Sequence, residues 1–361
     1  MKKVSKILII IQRSNGDVFL STSLIKALYD YYESPEIDIL VNDDTLAVAK
    51  LLPHINLIHT FSYIKKKNMR LKQEIQLIKS IFRKFDLSIN LTSSDRSIFY
   101  ALLASKKSIS AVEKNYKKSW WKKKLLSSHY FFDSSRHILL NNLEPLNLLN
   151  IEHDNEQKSI LCSDQAYNLV NDLLLKKGIN KYIIFHPSAQ YYYKIYPKHL
   201  RDKLLFLLNT LGIPILITGG NNEIDLDIKK NLPLLPNIFD IIGETSLDEY
   251  VALSESAFAY IGMDTLNMHI ASMQAKRIFA IFGPTNLNMW SPWSNNLKTG
   301  ASENIPLQTY DNITIFQAPF PCVACGNSGC DDNHGRSECL FVIKPEKIFK
   351  EVSYWYKNAI V

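Results

Sequence analysis

Ile7-Leu8-Ile9-Ile10-Ile11-Gln12-Arg13-Ser14-Asn15-Gly16-Asp17, running on to Leu24-Ile25-Lys26-Ala27-Leu28, is the stretch on which the fold turns. Five consecutive branched aliphatic residues make a strand buried on both faces, because a strand with one wet face alternates apolar with polar. A polar turn containing Gly16 follows, and then Leu24, Ile25 and Leu28 recur at the spacing of one helix face. Buried strand, glycine turn and amphipathic helix together make the first half of a parallel crossover unit. The same phrase returns along the chain. Residues 37–41 and 87–91 read as further strands of a first half, and residues 182–185, 213–218, 258–261 and 278–282 as strands of a second. Each of the last four runs into a small or polar turn: His186-Pro187-Ser188, Gly219-Gly220-Asn221-Asn222, Gly262-Met263-Asp264-Thr265 and Gly283-Pro284-Thr285.

The chain has 361 residues, and about 150 residues per domain makes that two domains. With 46% hydrophobic and 21% charged residues, a packed core forms and wholesale disorder is excluded. No apolar run approaches the roughly 18 residues of a membrane helix. Met1-Lys2-Lys3 and the run after it imitate a signal peptide, but Gln12 ends that run short of the roughly 7 residues a signal core needs. The expectation is a cytoplasmic protein. Its expected parts are 1–160, a first α/β domain; 161–345, a second; and 346–361, a terminal helix with Ile348, Val352 and Trp355 on one face. The polar stretch 150–159, with His153, Asp154 and Glu156, marks the first boundary. Two doubly wound halves carry their functional loops at the carboxyl ends of the strands, and the expectation is that these face a shared cleft.

Charge is unevenly placed. Between Lys106 and Lys124 there are eight lysines and one acid, Glu113, an excess equal to the +7 of the whole chain. Such a concentration attracts anions. Tyr116, Trp120 and Trp121 lie among these lysines, and amphipathic aromatics beside lysine suit a phosphate-rich membrane surface. Backbone phosphates of a nucleic acid attract the same residues, and a solvated basic loop without a partner fits as well.

Three turns carry chemistry. Asp17, at the start of the first helix, suits either a cap for that helix or a carboxylate that takes a proton from an attacking hydroxyl. Ser188, Lys194 and Tyr196-Pro197 bring a cation and free amides near a strand end, a cradle for a diphosphate or simply surface. Asp264, Thr265, Leu266, Asn267 and His269 straddle a helix start, whose amides hold phosphate oxygens if they are not merely capped. Asp225-Leu226-Asp227 imitates a metal-binding pair, but residues two apart on a helix point in different directions.

These segments occur in order with Thr218-Gly219-Gly220-Asn221-Asn222-Glu223 and Gly243-Glu244-Thr245-Ser246-Leu247 between them. Together with the opening K-I-L-I-I…G-D-V…L-I-K-A-L, the central H-P-S…K-x-Y-P and the later G-M-D-T…M-H-I-A…F-G-P-T, the chain resembles glycosyltransferase family 9, the lipopolysaccharide heptosyltransferases. The likeness spans nearly the full length. It implies an α/β fold of the GT-B class, two Rossmann-like domains about a cleft, with the final helix crossing back to the first domain. It implies a glycosyltransferase that moves a heptose, with inversion and no metal, from ADP-heptose to the lipopolysaccharide inner core. By the same likeness Asp17 is the base, Ser188 and Lys194 contact the diphosphate, Glu223 the ribose and Thr245 the adenine. Asp264, Thr265, Leu266, Asn267 and His269 line the donor phosphates and sugar. The expected partners are the nucleotide-sugar, a phosphorylated lipid A-core acceptor and the inner face of the inner membrane, with Arg13, Lys117, Lys118, Trp120, Trp121 and Lys122 on the acceptor or membrane side. No nucleic-acid recognition motif is present. The chain departs from the family in having Ile11 where an arginine is common, Leu266 and Asn267 where Gly or Pro is common, and Ala275-Lys276-Arg277 in place of Gly-Thr-Pro. An epimerase-like nucleotide-sugar enzyme, a non-catalytic nucleotide-sugar binder and a nucleic-acid binder are the rival readings.

Four of the five cysteines, Cys322, Cys325, Cys330 and Cys339, fall within eighteen residues and Cys162 stands apart. A C-x2-C pair in a reducing compartment favours a structural zinc, with His334 as a substitute ligand, over disulfides. Free thiols remain the alternative. No cofactor is required for catalysis on this reading.

Overall fold

A computed structural model of the chain describes residues 4–64, 66–160 and 162–359. The chain divides into two compact units, one up to residue 161 and one from Cys162 onward.

In the first unit, among the described residues, the strands are β1 (Lys6–Ile11), β2 (Glu36–Asn42), β3 (Ile55–Phe61), β4 (Leu87–Asn90), β5 (Ser108–Val112) and β6 (Ser128–Phe131). They form one parallel sheet in the order β3-β2-β1-β4-β5-β6. The aliphatic run of β1 is fully buried between β2 and β4, with Ile7 opposite both Ile37 and Leu87. Leu24, Ile25 and Leu28 of the helix Thr22–Tyr31 are buried as their spacing requires. Strand order reverses between β1 and β4, and such a reversal opens a crevice beyond the carboxyl ends of the strands. β5 is wholly buried although it alternates serine with aliphatic residues. Its polar atoms are matched from the next strand, Asn90 Nδ2 donating to Ser110 Oγ at 2.8 Å.

The second unit repeats the winding with β7 (Ile183–His186), β8 (Ile215–Ile217), β9 (Ile238–Asp240), β10 (Ala259–Met263), β11 (Arg277–Ile281), β12 (Leu307–Tyr310) and β13 (Ile313–Phe316). The order is β12-β13-β11-β10-β7-β8-β9, parallel except for the β12–β13 hairpin at one edge. Here the reversal lies between β7 and β10. The core joins Ile183, Phe185, Ile215, Ile217, Ile261, Phe279 and Ile281 from the sheet to Leu204, Leu205 and Leu208 of the helix Lys198–Asn209. The terminal helix Pro345–Ala359 buries Ile348 and Val352 in this same core, and Trp355 meets Phe279 at 5.7 Å between ring centroids. The apolar side of the helix that the resemblance sends back to the first domain is thus an element of the second unit.

Candidate functional site

At the reversal point of the second sheet, β7 and β10 lie side by side with Gly262 opposite His186. A Cβ on Gly262 would fall 2.5 Å from the His186 carbonyl oxygen and 2.7 Å from the Tyr260 hydroxyl, so only glycine permits the approach. Past β10 the backbone of Thr265 is extended, and the helix Leu266–Met273 begins with the amides of Leu266 and Asn267 outside its ladder, which starts with Met268 N donating to the Thr265 carbonyl at 3.1 Å. Helix starts of this kind favour negative charge. Lys194 reaches the same place from a 3-10 turn, Tyr192–Lys194, after β7, and its Nζ lies 3.2 Å from Asp264 Oδ2. Burial on its own would lower the Lys194 pKa, but the Asp264 carboxylate outweighs it and the ammonium is held above its ordinary value. The cation is therefore permanent at neutral pH.

Two histidines complete this centre. His269, on the helix, is buried, and burial pushes its pKa down to about 4, with Asp264 opposing and Lys194 adding to the fall. His186, the last residue of β7, is pushed down to about 4 by burial against the opposing pull of Asp225. Both rings are neutral at neutral pH. His186 Nδ1 sits 2.9 Å from Thr218 Oγ1 and 3.0 Å from Asn267 Nδ2, joining the ends of β7 and β8 to the helix start. That linking role has one sequence signal, a histidine between a buried strand and a proline. Ser188 is buried just beyond it.

The structure thus brings Lys194, Asp264, Thr265, Leu266, Asn267 and His269 to one strand-end crevice. Glu223 and Thr245 stand after β8 and β9. Glu223 is exposed at the start of the helix Glu223–Lys230, and Thr245 is half-buried before the helix Leu247–Ser256. Among the described residues, no hydrogen bond or ion pair ties either to the Lys194–Asp264 pair. Asp225 and Asp227 diverge, Asp225 Oδ2 accepting from Gly220 N at 2.8 Å while Asp227 Oδ1 meets Asn231 Nδ2 at 3.2 Å.

In the first unit Asp17 follows β1 at that sheet's own reversal point. The cap of the short helix Asn15–Phe19 is Ser14, not Asp17. Asp17 is its capping-box partner, Oδ2 accepting from Ser14 N at 3.2 Å and from Ser14 Oγ at 2.6 Å. Oδ1 lies 2.9 Å from Arg13 Nε, and the Arg13 guanidinium rests over the Phe132 ring at 4.5 Å. Burial raises the Asp17 pKa above the usual carboxylate range, while Arg13 and Ser14 pull the other way. A base with a raised pKa is better matched to neutral pH than an ordinary aspartate. Nearby, the buried Gln12 carboxamide and Asn42 Oδ1 have no hydrogen-bond partner among the described residues.

The lysine-rich segment forms the helix Tyr116–Leu125. Lys117 is exposed and Trp120 is 56% exposed; the side chain of Lys118 lies outside the described residues. Lys122, expected at the surface, is a correction: it is 1% exposed. Its Nζ lies 2.7 Å from Asp95 Oδ1 and donates to the Ser93 carbonyl at 3.1 Å. The helical period explains this, since buried Ser119, Lys122 and Leu126 recur at i, i+3 and i+7 on one inward face. Trp121 is drawn in beside them, packed against Ile98, Val112 and Leu126.

All five cysteines are free. Cys322, Cys325 and Cys330 are exposed and Cys339 is buried in the second core. Burial and the three neighbouring thiols push the Cys339 pKa up to about 11. Cys330 Sγ accepts from Glu338 N at 3.3 Å. Among the described residues, no group of three or more His, Cys, Asp or Glu side chains is arranged to hold a metal ion. The His334 ring, the suggested substitute ligand, is instead stacked on tyrosines.

The family model of glycosyltransferase family 9 (heptosyltransferase) matches residues 75–316. Lipopolysaccharide heptosyltransferase 3 of Escherichia coli is 25% identical to the chain over 295 residues, 79% of this chain and 85% of that protein. Among solved structures, a family 9 glycosyltransferase from Veillonella parvula DSM 2008 superposes with a TM-score of 0.76 at 15% identity, covering 99% of both chains. The E. coli ADP-heptose lipopolysaccharide heptosyltransferase II superposes with a TM-score of 0.74 at 17% identity, covering 99% of this chain and 100% of that one.

Proposed function

The chain belongs to glycosyltransferase family 9 and is a glycosyltransferase of the GT-B class, and on that premise we propose that it transfers a heptose from ADP-heptose to the inner core of lipopolysaccharide. The observation that carries the donor half is the Lys194–Asp264 pair beside the free amides of the helix Leu266–Met273. Departure of a nucleoside diphosphate leaves negative charge on the β-phosphate oxygens, and a fixed ammonium with aligned amides stabilises that charge without reorganisation. Neutral His269 and Asn267 offer hydrogen bonds to phosphate or sugar hydroxyls rather than more charge.

The acceptor half rests on Asp17. Its carboxylate takes the proton of the acceptor hydroxyl as that oxygen attacks the anomeric carbon. The C–O bond to the acceptor forms on the face opposite the breaking bond to the diphosphate, so the configuration inverts. Lys194 and the amides supply the charge stabilisation that a metal gives elsewhere. Ser188, Glu223, Thr245, Thr265 and Leu266 complete the donor contacts on this reading. Lys117 and Trp120 suit the phosphorylated lipid surface that carries the acceptor, on the cytoplasmic face of the inner membrane. A structural zinc on Cys322, Cys325, Cys330 and Cys339 is tested separately: one equivalent by elemental analysis supports it, and well under one equivalent removes it.

Asp17→Asn tests the reading directly. Transfer to a heptose-bearing acceptor is expected to fall by about 10²- to 10⁴-fold, with ADP-heptose binding by calorimetry unchanged. Turnover near that of the unaltered enzyme would remove Asp17 from the chemistry. A UDP-sugar bound in preference to ADP-heptose would overturn the donor.

A further inference from the structure

The loop that bears the cysteines touches the donor loop through rings. The segment 322–340 is anchored at both ends in the second core, by Val323 and by Cys339 with Leu340. Between them it is drawn tight: Cys330 N donates to the Arg336 carbonyl at 3.0 Å, and His334 N to the Ser328 carbonyl at 2.7 Å. Gly329, at φ 87°, lets the two limbs meet, since a Cβ there would lie 2.5 Å from the Gly335 carbonyl oxygen. His334 is held at φ 65°, in the left-handed region that a non-glycine residue adopts at a cost.

That backbone aims the His334 ring at the residues before Lys194. It stacks on Tyr191 at 5.8 Å and 25°, and meets Tyr193 at 5.7 Å, while Tyr191 and Tyr193 stack on each other at 5.3 Å and 12°. Ser337 Oγ donates to the Tyr193 carbonyl at 2.7 Å. Lys194 N in turn donates to the Tyr191 carbonyl at 3.0 Å. The turn that carries the ammonium is therefore clamped from one side by its ion pair with Asp264 and from the other by this three-ring stack.

We propose that His334 is a positioning residue for Lys194: its ring, fixed by the cysteine-bearing loop, braces Tyr191 and Tyr193 so that the Lys194 ammonium is preorganised for the donor diphosphate. This rests on the reading of Lys194 as a diphosphate ligand. Preorganised loops bind more tightly because ordering is not left to the moment of binding. The reactivity of the thiols plays no part in the brace.

A double-mutant cycle with ADP as probe, read by calorimetry on the full chain, tests it. His334→Ala is expected to weaken ADP by about 3- to 10-fold, the range for losing aromatic stacking. His334→Phe, which keeps a flat ring, is expected to restore binding to within about twofold. In a Lys194→Met background, His334→Ala should change nothing further, because its effect passes through the lysine. With full substrates, His334→Ala should raise the KM for the donor and leave that for the acceptor unchanged. The proposal falls if His334→Ala leaves ADP affinity intact, or weakens it equally with and without Lys194. If Lys194→Met itself leaves ADP affinity intact, the diphosphate reading fails instead. Should His334→Ala not fold, Ser337→Ala removes the hydrogen bond to Tyr193 and is expected to show the same dependence on Lys194; independence from Lys194 overturns the brace.

Discussion

At Asp17 one carboxylate closes the capping box of a five-residue helix and, on the proposed reading, also accepts a proton. Burial is the largest influence on it and raises its pKa, with Arg13 and Ser14 only partly compensating. A folded-state pKa above the unfolded value of about 3.9 means that the folded chain takes up the proton more readily. The resulting stabilisation is full below that unfolded value and is lost as pH rises through the folded one. At pH 7 the ionised group is a net burden on stability. Asp17→Asn is therefore expected to melt at or above the temperature of the unaltered chain at pH 7. The advantage should shrink as pH falls below the raised pKa, because protonated Asp and Asn are then alike. Melting curves from pH 4 to pH 8 read this, and a variant equally destabilised at every pH would mean that the cap and Arg13 dominate. The sequence made Asp17 conspicuous, after a buried strand and a glycine. It could not show that Ser14 takes the cap, since that follows from the Ser14 backbone at φ −77°, ψ 171°. Nor could it show His186 as a link, because the burial that neutralises a histidine is a property of the packed strands.

The helix Tyr116–Leu125 shows where composition misleads at the scale of an element. Its lysines read as one basic surface, yet the 3.6-residue period turns Ser119 and Lys122 inward while Lys117 and Trp120 face solvent. The two sides should respond differently to substitution. Lys122→Met leaves the Ser93 carbonyl and Glu113 without their buried partner, and a loss of about 2 kcal/mol in unfolding free energy is expected. Trp120→Ala should leave stability within about 0.5 kcal/mol, but reduce binding to vesicles containing anionic phospholipid. Cosedimentation beside denaturant unfolding separates the two, and the reverse pattern would refute the inward assignment. Strands divide similarly. β1 is an aliphatic run that declares itself, and β2, β7, β10 and β11 are apolar enough to be read as strands. β5 does not, because its serines look like loop until Asn90 is seen to satisfy Ser110 from the next strand.

Over the whole molecule, the repeated phrase of strand, small turn and helix predicts two parallel sheets, and each sheet has the same winding about its first strand, β3-β2-β1-β4 and β9-β8-β7-β10. What breaks the symmetry, the β12–β13 hairpin and the cysteine-bearing loop, was not legible as structure, since neither follows the apolar rhythm. The symmetry leaves two equivalent reversal points, and electrostatics distinguishes them. The second offers a permanent ammonium and an eight-residue helix start, whereas at the first Arg13 is tied to Asp17 beside a buried carboxamide. A nucleoside diphosphate should therefore bind the second unit. Ligand at a hundredfold excess over its Kd stabilises what it binds by about 2.7 kcal/mol. Amides in residues 183–194 and 259–273 should then exchange more slowly with ADP present, and the rates of β1, β2 and β4 should not change. Hydrogen exchange read by mass spectrometry resolves these segments, and protection confined to the first sheet would assign the nucleotide to the wrong half of the chain.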